Sequence, residues 1–92
     1  MDDDIKDSVR LDKWLWAVRL FKTRIQSNTA CKNGKISMAG KNCKASKLIK
    51  IGDVIKVKVY EKEREIIVKG IISKRVSAKL AVDLYDTIEN KI

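Results

Sequence analysis

VRLDKWLWAVRLFKTR, residues 9–24, opens the stretch that decides the fold, which runs on through CKNGKISMAGKNCKASK to Lys50. Its apolar residues fall at Leu11, Trp14, Leu15, Val18 and Phe21. That spacing predicts a helix over residues 11–21 with one buried stripe. Trp16 and Leu20 lie away from the stripe on a helical wheel. Either they pack beneath a second element, or they form an exposed apolar spot beside basic groups; burial is favoured, because aromatic side chains dominate small cores. Lys22-Thr23 breaks the pattern, and Thr23 is a good N-cap for a second helix over residues 24–33. Ser27, Ala30 and Cys31 follow at i, i+3 and i+4, small enough to let this helix lie close against the first. Gly34 stands where a left-handed residue ends a helix, and Lys32 beside it suits the negative end of the helix dipole.

Working outward, residues 35–39 read as a short strand with Ile36 and Met38 inward, and Gly40-Lys41-Asn42 as a turn. Residues 43–47 are a short strand or loop. Ile51-Gly52-Asp53 is a tight turn into a strand over residues 54–60, where Val54, Val57 and Val59, with Ile55, are buried mainly on one face. Residues 61–64 form a charged hairpin loop and residues 65–73 the return strand. A last helix is predicted over residues 78–88, with Leu80, Leu84 and Ile88 at i, i+4 and i+8. The fold class is therefore α+β: two N-terminal helices packed on a small, mostly antiparallel sheet, with a short C-terminal helix. Residues 1–8 read as an acidic flexible tail, residues 9–73 as the domain, and residues 74–92 as a C-terminal helix packed on or trailing it.

Charge follows the same division. Residues 9–50 hold eleven Lys or Arg against one acid, Asp12, a local charge of +10 within an overall +9. Residues 1–8 carry −3, and residues 51–92 only +2. A charge gathered on one stretch is the electrostatic footprint of a nucleic-acid binder. Arg10, Lys13, Lys22, Arg24, Lys32, Lys35, Lys41, Lys44 and Lys47 precede helices, sit on polar faces or lie in turns. The N–H groups at Thr23 and Arg24 add a helix N-terminus, a natural phosphate seat.

Ninety-two residues make one small domain, too short for a separate catalytic one. Its apolar runs are only a few residues long, so no membrane span is expected, and the acidic start is no secretory leader. A soluble cytoplasmic protein is the expectation. With two cysteines and no histidine, neither a zinc site nor a cofactor is expected, and Cys31 and Cys43 read as plain thiols. Catalytic chemistry is poorly supplied: there is no nucleophile with a nearby base and no Gly-rich phosphate loop. Asp12 reads as a partner of its own helix N-terminus, and Asp53 as a fixer of the turn after Gly52.

The order of "RLDKWL", "KTR" opening a second helix, "GKI", a turn with "NCKAS", then "GD" and a strand resembles the alpha-L RNA-binding domain, or S-four domain, over about residues 9–59. Within that superfamily, "VRLDKWLWAVRLFKTR" is similar to the bacterial heat-shock protein 15 family, whose shorter relatives act in ribosome-associated quality control. The resemblance implies binding to large-subunit rRNA and tRNA on large ribosomal subunits left by stalled, split ribosomes. It implies that Arg10 and Arg24 touch RNA, accompanied by Lys13, Lys22 and Thr23.

The resulting expectation is a non-catalytic binder of structured RNA, a monomer, with neither a small-molecule substrate nor a membrane partner. Two alternatives stay open. One is a DNA-binding helix-turn-helix, offering Gln26, Asn28 and Arg24 to base edges. The other is an RNA-targeting subunit of an rRNA-modifying enzyme.

Overall fold

The computed structural model describes residues 8–59 and 62–88. Residues 1–7, 60–61 and 89–92 lie outside the described residues, and with them most of the predicted acidic tail and the first residue of the predicted hairpin loop. The elements, in order, are β1 (Val9–Arg10), α1 (Leu11–Ala17), α2 (Arg24–Lys32), β2 (Ile36–Met38), β3 (Lys41–Asn42), β4 (Leu48–Ile49), β5 (Val54–Val59), β6 (Lys62–Val68), α3 (Ala78–Ala81) and β7 (Tyr85–Ile88). The class is α+β, as the sequence predicts.

Helix α1 stops four residues short of its predicted end. Arg19 takes a left-handed φ of 66°, and Leu20 N–H reaches back to the Leu15 carbonyl while Arg19 N–H reaches Trp16. These two bonds are the Schellman arrangement, closed here by an arginine instead of the usual glycine. Helix α2 ends the same way at Gly34, φ 74°, with Lys35 N–H to the Ala30 carbonyl and Gly34 N–H to Cys31. A Cβ at Gly34 would sit 3.2 Å from Asn42 Nδ2 as well as adopting the left-handed backbone. Gly34→Ala is accordingly expected to cost about 1–2 kcal/mol. A urea midpoint equal to wild type would contradict this.

Ser27 locks the helix pair. Its buried Oγ lies 2.7 Å from the Asp12 carbonyl and 2.8 Å from that of Arg24, sharing one hydroxyl hydrogen between them. Ala30 and Cys31 are buried beside it, as their size predicts.

One sheet runs β3-β2-β5-β6-β7, antiparallel at every step, and β1 pairs with β4 in a separate two-stranded ribbon. Ile36 and half-buried Met38 face inward as predicted. The turn falls one residue earlier than predicted, at Ala39 and Gly40, both with positive φ, so Lys41 and Asn42 are strand residues. Residues 43–47 form a loop. Along β5, Ile55 and Val57 are buried whereas Val54 is exposed, which corrects its predicted inward phase. Strand β6 starts at Lys62 and stops at Val68, so the predicted loop 61–64 and strand 65–73 are both shifted. On the outer face the register sets Lys56 opposite Glu65 and Lys58 opposite Glu63. Opposite charges across a strand pair are mutually favourable, and they leave this face near neutrality.

The predicted helix over residues 78–88 is corrected. Only residues 78–81 are helical, started by Ser77, whose Oγ accepts the Leu80 N–H at 3.3 Å. Tyr85–Ile88 instead add an edge strand to β6, pairing Ile66 with Thr87 and Val68 with Tyr85. Leu80 and Ile88 are exposed, so their helical spacing does not mark a buried stripe.

The core lies between the helices and the sheet, around Trp14, Leu11, Leu15, Ile36, Ile55 and Ile66. The connection from β6 to α3 is stapled onto α1. Trp14 Nε1 donates to the Gly70 carbonyl at 2.8 Å, and Arg75 donates to the carbonyls of Trp16 at 3.2 Å and Phe21 at 3.3 Å. The Arg75 guanidinium also lies 5.8 Å from the centre of the half-buried Trp16 ring. Trp16 is thus covered by a second element, the favoured reading, with a cation as part of the cover. Leu20 is half-buried against the core.

Candidate nucleic-acid interface

The first two N–H groups of α1 need partners, and the loop over residues 43–47 supplies them. Leu11 N–H donates to the Lys47 carbonyl at 2.8 Å and Asp12 N–H to that of Ala45 at 3.1 Å. The loop is thereby held across the start of α1. The Asp12 carboxylate is freed from capping its own helix, the role read from sequence, and turns toward side chains instead.

Asp12 is 98% buried; it accepts hydrogen bonds from Arg10 and Asn28 and forms an ion pair with Arg24. Arg10 approaches with Nε at 3.2 Å and Nη2 at 3.1 Å, Asn28 Nδ2 donates at 3.0 Å, and Arg24 Nη2 stands at 3.6 Å. Both arginine side chains remain nearly half exposed. Burial alone would raise the Asp12 pKa. The hydrogen bonds from Asn28 and Arg10 and the charges of Arg24 and Arg10 outweigh it and hold the carboxyl below its ordinary value.

A depressed carboxyl pKa stabilises the fold above the ordinary aspartate value of about 3.9, and that gain disappears as pH falls through the lower folded value. Asp12→Asn is therefore expected to cost about 1 kcal/mol at neutral pH, modest because its arginine partners are solvated. The gap from wild type should close under strongly acid conditions. Urea melts at both pH values check this; a gap that persists unchanged in acid would contradict it.

Helix α2 begins as predicted at Thr23, whose Oγ1 accepts the Gln26 N–H at 3.0 Å, while Gln26 Oε1 accepts the Lys22 N–H at 3.2 Å. Thr23 also places Arg24 in the first turn, from which it reaches Asp12.

Of the ten residues singled out in the sequence, the structure brings Arg10 and Arg24 together on one carboxylate. Arg10, Lys32 and Lys44 line a second feature, a concavity of about 420 Å³ between the end of α2 and the loop over residues 43–47. Lys13, Lys22, Lys35, Lys41 and Lys47 are not among its lining residues. Lys13 is half-buried on α1, while the other four are exposed, Lys22 in the connection between the helices, Lys35 before β2, Lys41 on β3 and Lys47 at the end of the loop.

Asn28 and Ser27 were missed as site-building residues. The available signal was Asp12 itself, a lone acid inside an eleven-cation stretch. Cys31 and Cys43 are free, buried thiols on the inner side of the concavity. Burial, helped by the Asp12 charge and by Cys43, pushes Cys31 up to about 11. Burial also raises Cys43, against the opposing charge of Lys47. Among the described residues, no group of three or more His, Cys, Asp or Glu could hold a metal ion, and no helix is long and apolar enough to cross a membrane.

The model of the S4 domain matches residues 9–55. Heat shock protein 15 homolog of Aeromonas salmonicida is 41% identical over 81 residues, which are 88% of this chain and 61% of that relative. Heat shock protein 15 of Escherichia coli is 38% identical over 78 residues, 85% of this chain and 59% of that relative. The chain thus spans about three fifths of the length of these curated relatives. The structure of Vibrio cholerae Heat Shock Protein 15, a trimer, superposes with a TM-score of 0.83 at 38% identity, covering 88% of this chain and 82% of that one. The chain belongs to the S4 domain family of RNA-binding domains, among the heat shock protein 15 relatives.

Proposed function

We propose that the protein is a non-catalytic RNA-binding factor of the cytoplasm that engages large-subunit rRNA and tRNA on large ribosomal subunits from stalled, split ribosomes. The observation that carries the reading is the pair of half-exposed guanidiniums held on one buried carboxylate. Asp12 occupies the Nε–Nη2 edge of Arg10 and pairs with a single nitrogen, Nη2, of Arg24. A guanidinium has five N–H donors, so both keep donors for phosphate oxygens, and their orientation is set before RNA arrives. The start of α2 at Thr23 and Arg24 adds a backbone phosphate seat. Lys13 and Lys22 accompany it, and Lys32, Lys35, Lys41, Lys44 and Lys47 extend the contact as point charges. Double-helical RNA is read largely through shape and phosphates, which suits such a surface. One chain suffices as the binding unit, because the clamp closes within it; the Vibrio cholerae relative nonetheless assembles as a trimer.

The helix-turn-helix alternative needs base-reading side chains on α2. Gln26 Oε1 accepts the Lys22 N–H and Asn28 Nδ2 donates to Asp12, so both amides of α2 are already engaged, which argues against it. The test is sedimentation of tagged protein with ribosomal particles on a gradient, at low and raised salt. Migration with free large subunits is expected. Absence from every ribosomal fraction would contradict the ribosomal part of the reading while leaving general RNA binding to be measured directly.

A further inference from the structure

Resting on that RNA-binding reading, we propose that the concavity bordered by Arg10, Lys32 and Lys44 is a subsite for one unpaired nucleotide extruded from the bound RNA helix. Its volume of about 420 Å³ falls within the range of small-molecule sites, about 300–1,000 Å³. Its inner side is apolar and uncharged: Cys31 is 4% and Cys43 7% exposed, both with raised thiol pKa values, and Ala45 lies beside them. That lining suits the faces of a base. The three cations, all exposed, suit the phosphates on either side of it. Asn42 supplies an amide able both to donate to and to accept from a base edge.

The shape is preformed. The loop is tied to α1 through Leu11 and Asp12 and to β2 through the Cys43 N–H on the Ile36 carbonyl at 3.0 Å. Gly34 keeps the space beside Asn42 open by having no side chain.

Size alone does not select this feature. A second concavity, about 430 Å³, lies near the β2–β3 turn, but Asp53 and Glu65 line it with only one lysine, Lys56. A nucleotide phosphate would be repelled there. The first concavity holds no carboxylate and shares Arg10 with the arginine clamp, so a base leaving the helix would enter where its own backbone is already held. Extruded bases are the usual objects of specific RNA recognition, because paired edges are hard to reach.

The test compares two RNA hairpins differing only by one unpaired adenosine in the stem, by fluorescence anisotropy. Wild type should bind the bulged hairpin about tenfold more tightly, which is about 1.4 kcal/mol. Ser46→Leu, at an exposed position lining the concavity, fills it; the ratio should fall to about one, with affinity for the paired hairpin within about twofold of wild type. Lys44→Gln adds no bulk and guards against a folding defect; it should weaken the bulged complex more than the paired one. Equal wild-type affinity for both hairpins, or a ratio unchanged in both variants, would overturn the subsite alone. Failure of wild type to bind either hairpin would overturn the RNA reading with it.

Discussion

Replacing both clamp arginines, Arg10→Gln/Arg24→Gln, is expected to weaken binding to structured RNA by about a hundredfold at moderate salt. Hydrogen bonds from a charged group contribute about 1.5–3 kcal/mol each, and a phosphate contact at each arginine is assigned the low end of that range. Each single substitution should cost severalfold to tenfold. The two effects should not add simply, because both side chains share Asp12 and loss of one frees that carboxylate for the other. Glutamine is the informative replacement. Alanine at both positions would leave the buried Asp12 with Asn28 as its remaining donor and would cost stability too. With glutamine, an amide that can still donate to Asp12, the loss of stability should stay at about 1 kcal/mol, as expected for Asp12→Asn. The logarithmic salt dependence of affinity should fall by about 1.5. Unchanged affinity would contradict the clamp.

Trp14→Ala is expected to leave the protein only marginally stable at room temperature, with a melting midpoint far below wild type. Trp14 is fully buried at the centre of the core, packs edge-on against Tyr85 at 6.3 Å and 75°, and ties the chain at Gly70 to α1 through its indole N–H. Truncating a buried tryptophan costs about 3–5 kcal/mol, against a total stability of about 5–15 kcal/mol and nearer the lower bound for so small a domain. Trp14→Phe keeps most of the apolar contact and loses the hydrogen bond to Gly70, so about 1–3 kcal/mol is expected. Circular dichroism melts separate the two. A folded alanine variant with a near-wild-type midpoint would show that the core is organised elsewhere.

The local signals in the sequence proved reliable where a side chain acts on its own turn. Thr23 caps α2, Gly34 ends it, and Asp53 closes its turn by accepting the Lys50 N–H at 2.8 Å. They failed where distant pairing overrode them. Leu80, Leu84 and Ile88 have helical spacing, yet pairing with β6 draws residues 85–88 into the sheet. The early end of α1 had no sequence mark, since an arginine takes the left-handed position. The ribbon of Val9–Arg10 with Leu48–Ile49 is too short for any periodicity to reveal.

For the site, the gathering of charge was legible, as was the importance of Arg10 and Arg24 through the family resemblance. Their convergence on Asp12 was not. It depends on the loop over residues 43–47 capping α1, a contact more than thirty residues away in the chain that turns Asp12 from a helix cap into a side-chain anchor. The same loop closes the concavity beside Arg10, so neither feature could be assembled from local sequence.

The central claim is that the face around Asp12 binds structured RNA through phosphates. Its most direct test is the affinity of the protein for a large-subunit rRNA fragment and for a DNA duplex of equal length, measured as salt is raised from about 50 to 200 mM. Tighter binding to RNA at every salt, with a steep slope that the double glutamine variant reduces, is the expected result. Equal affinity for the two nucleic acids, or a slope untouched by loss of Arg10 and Arg24, would contradict it.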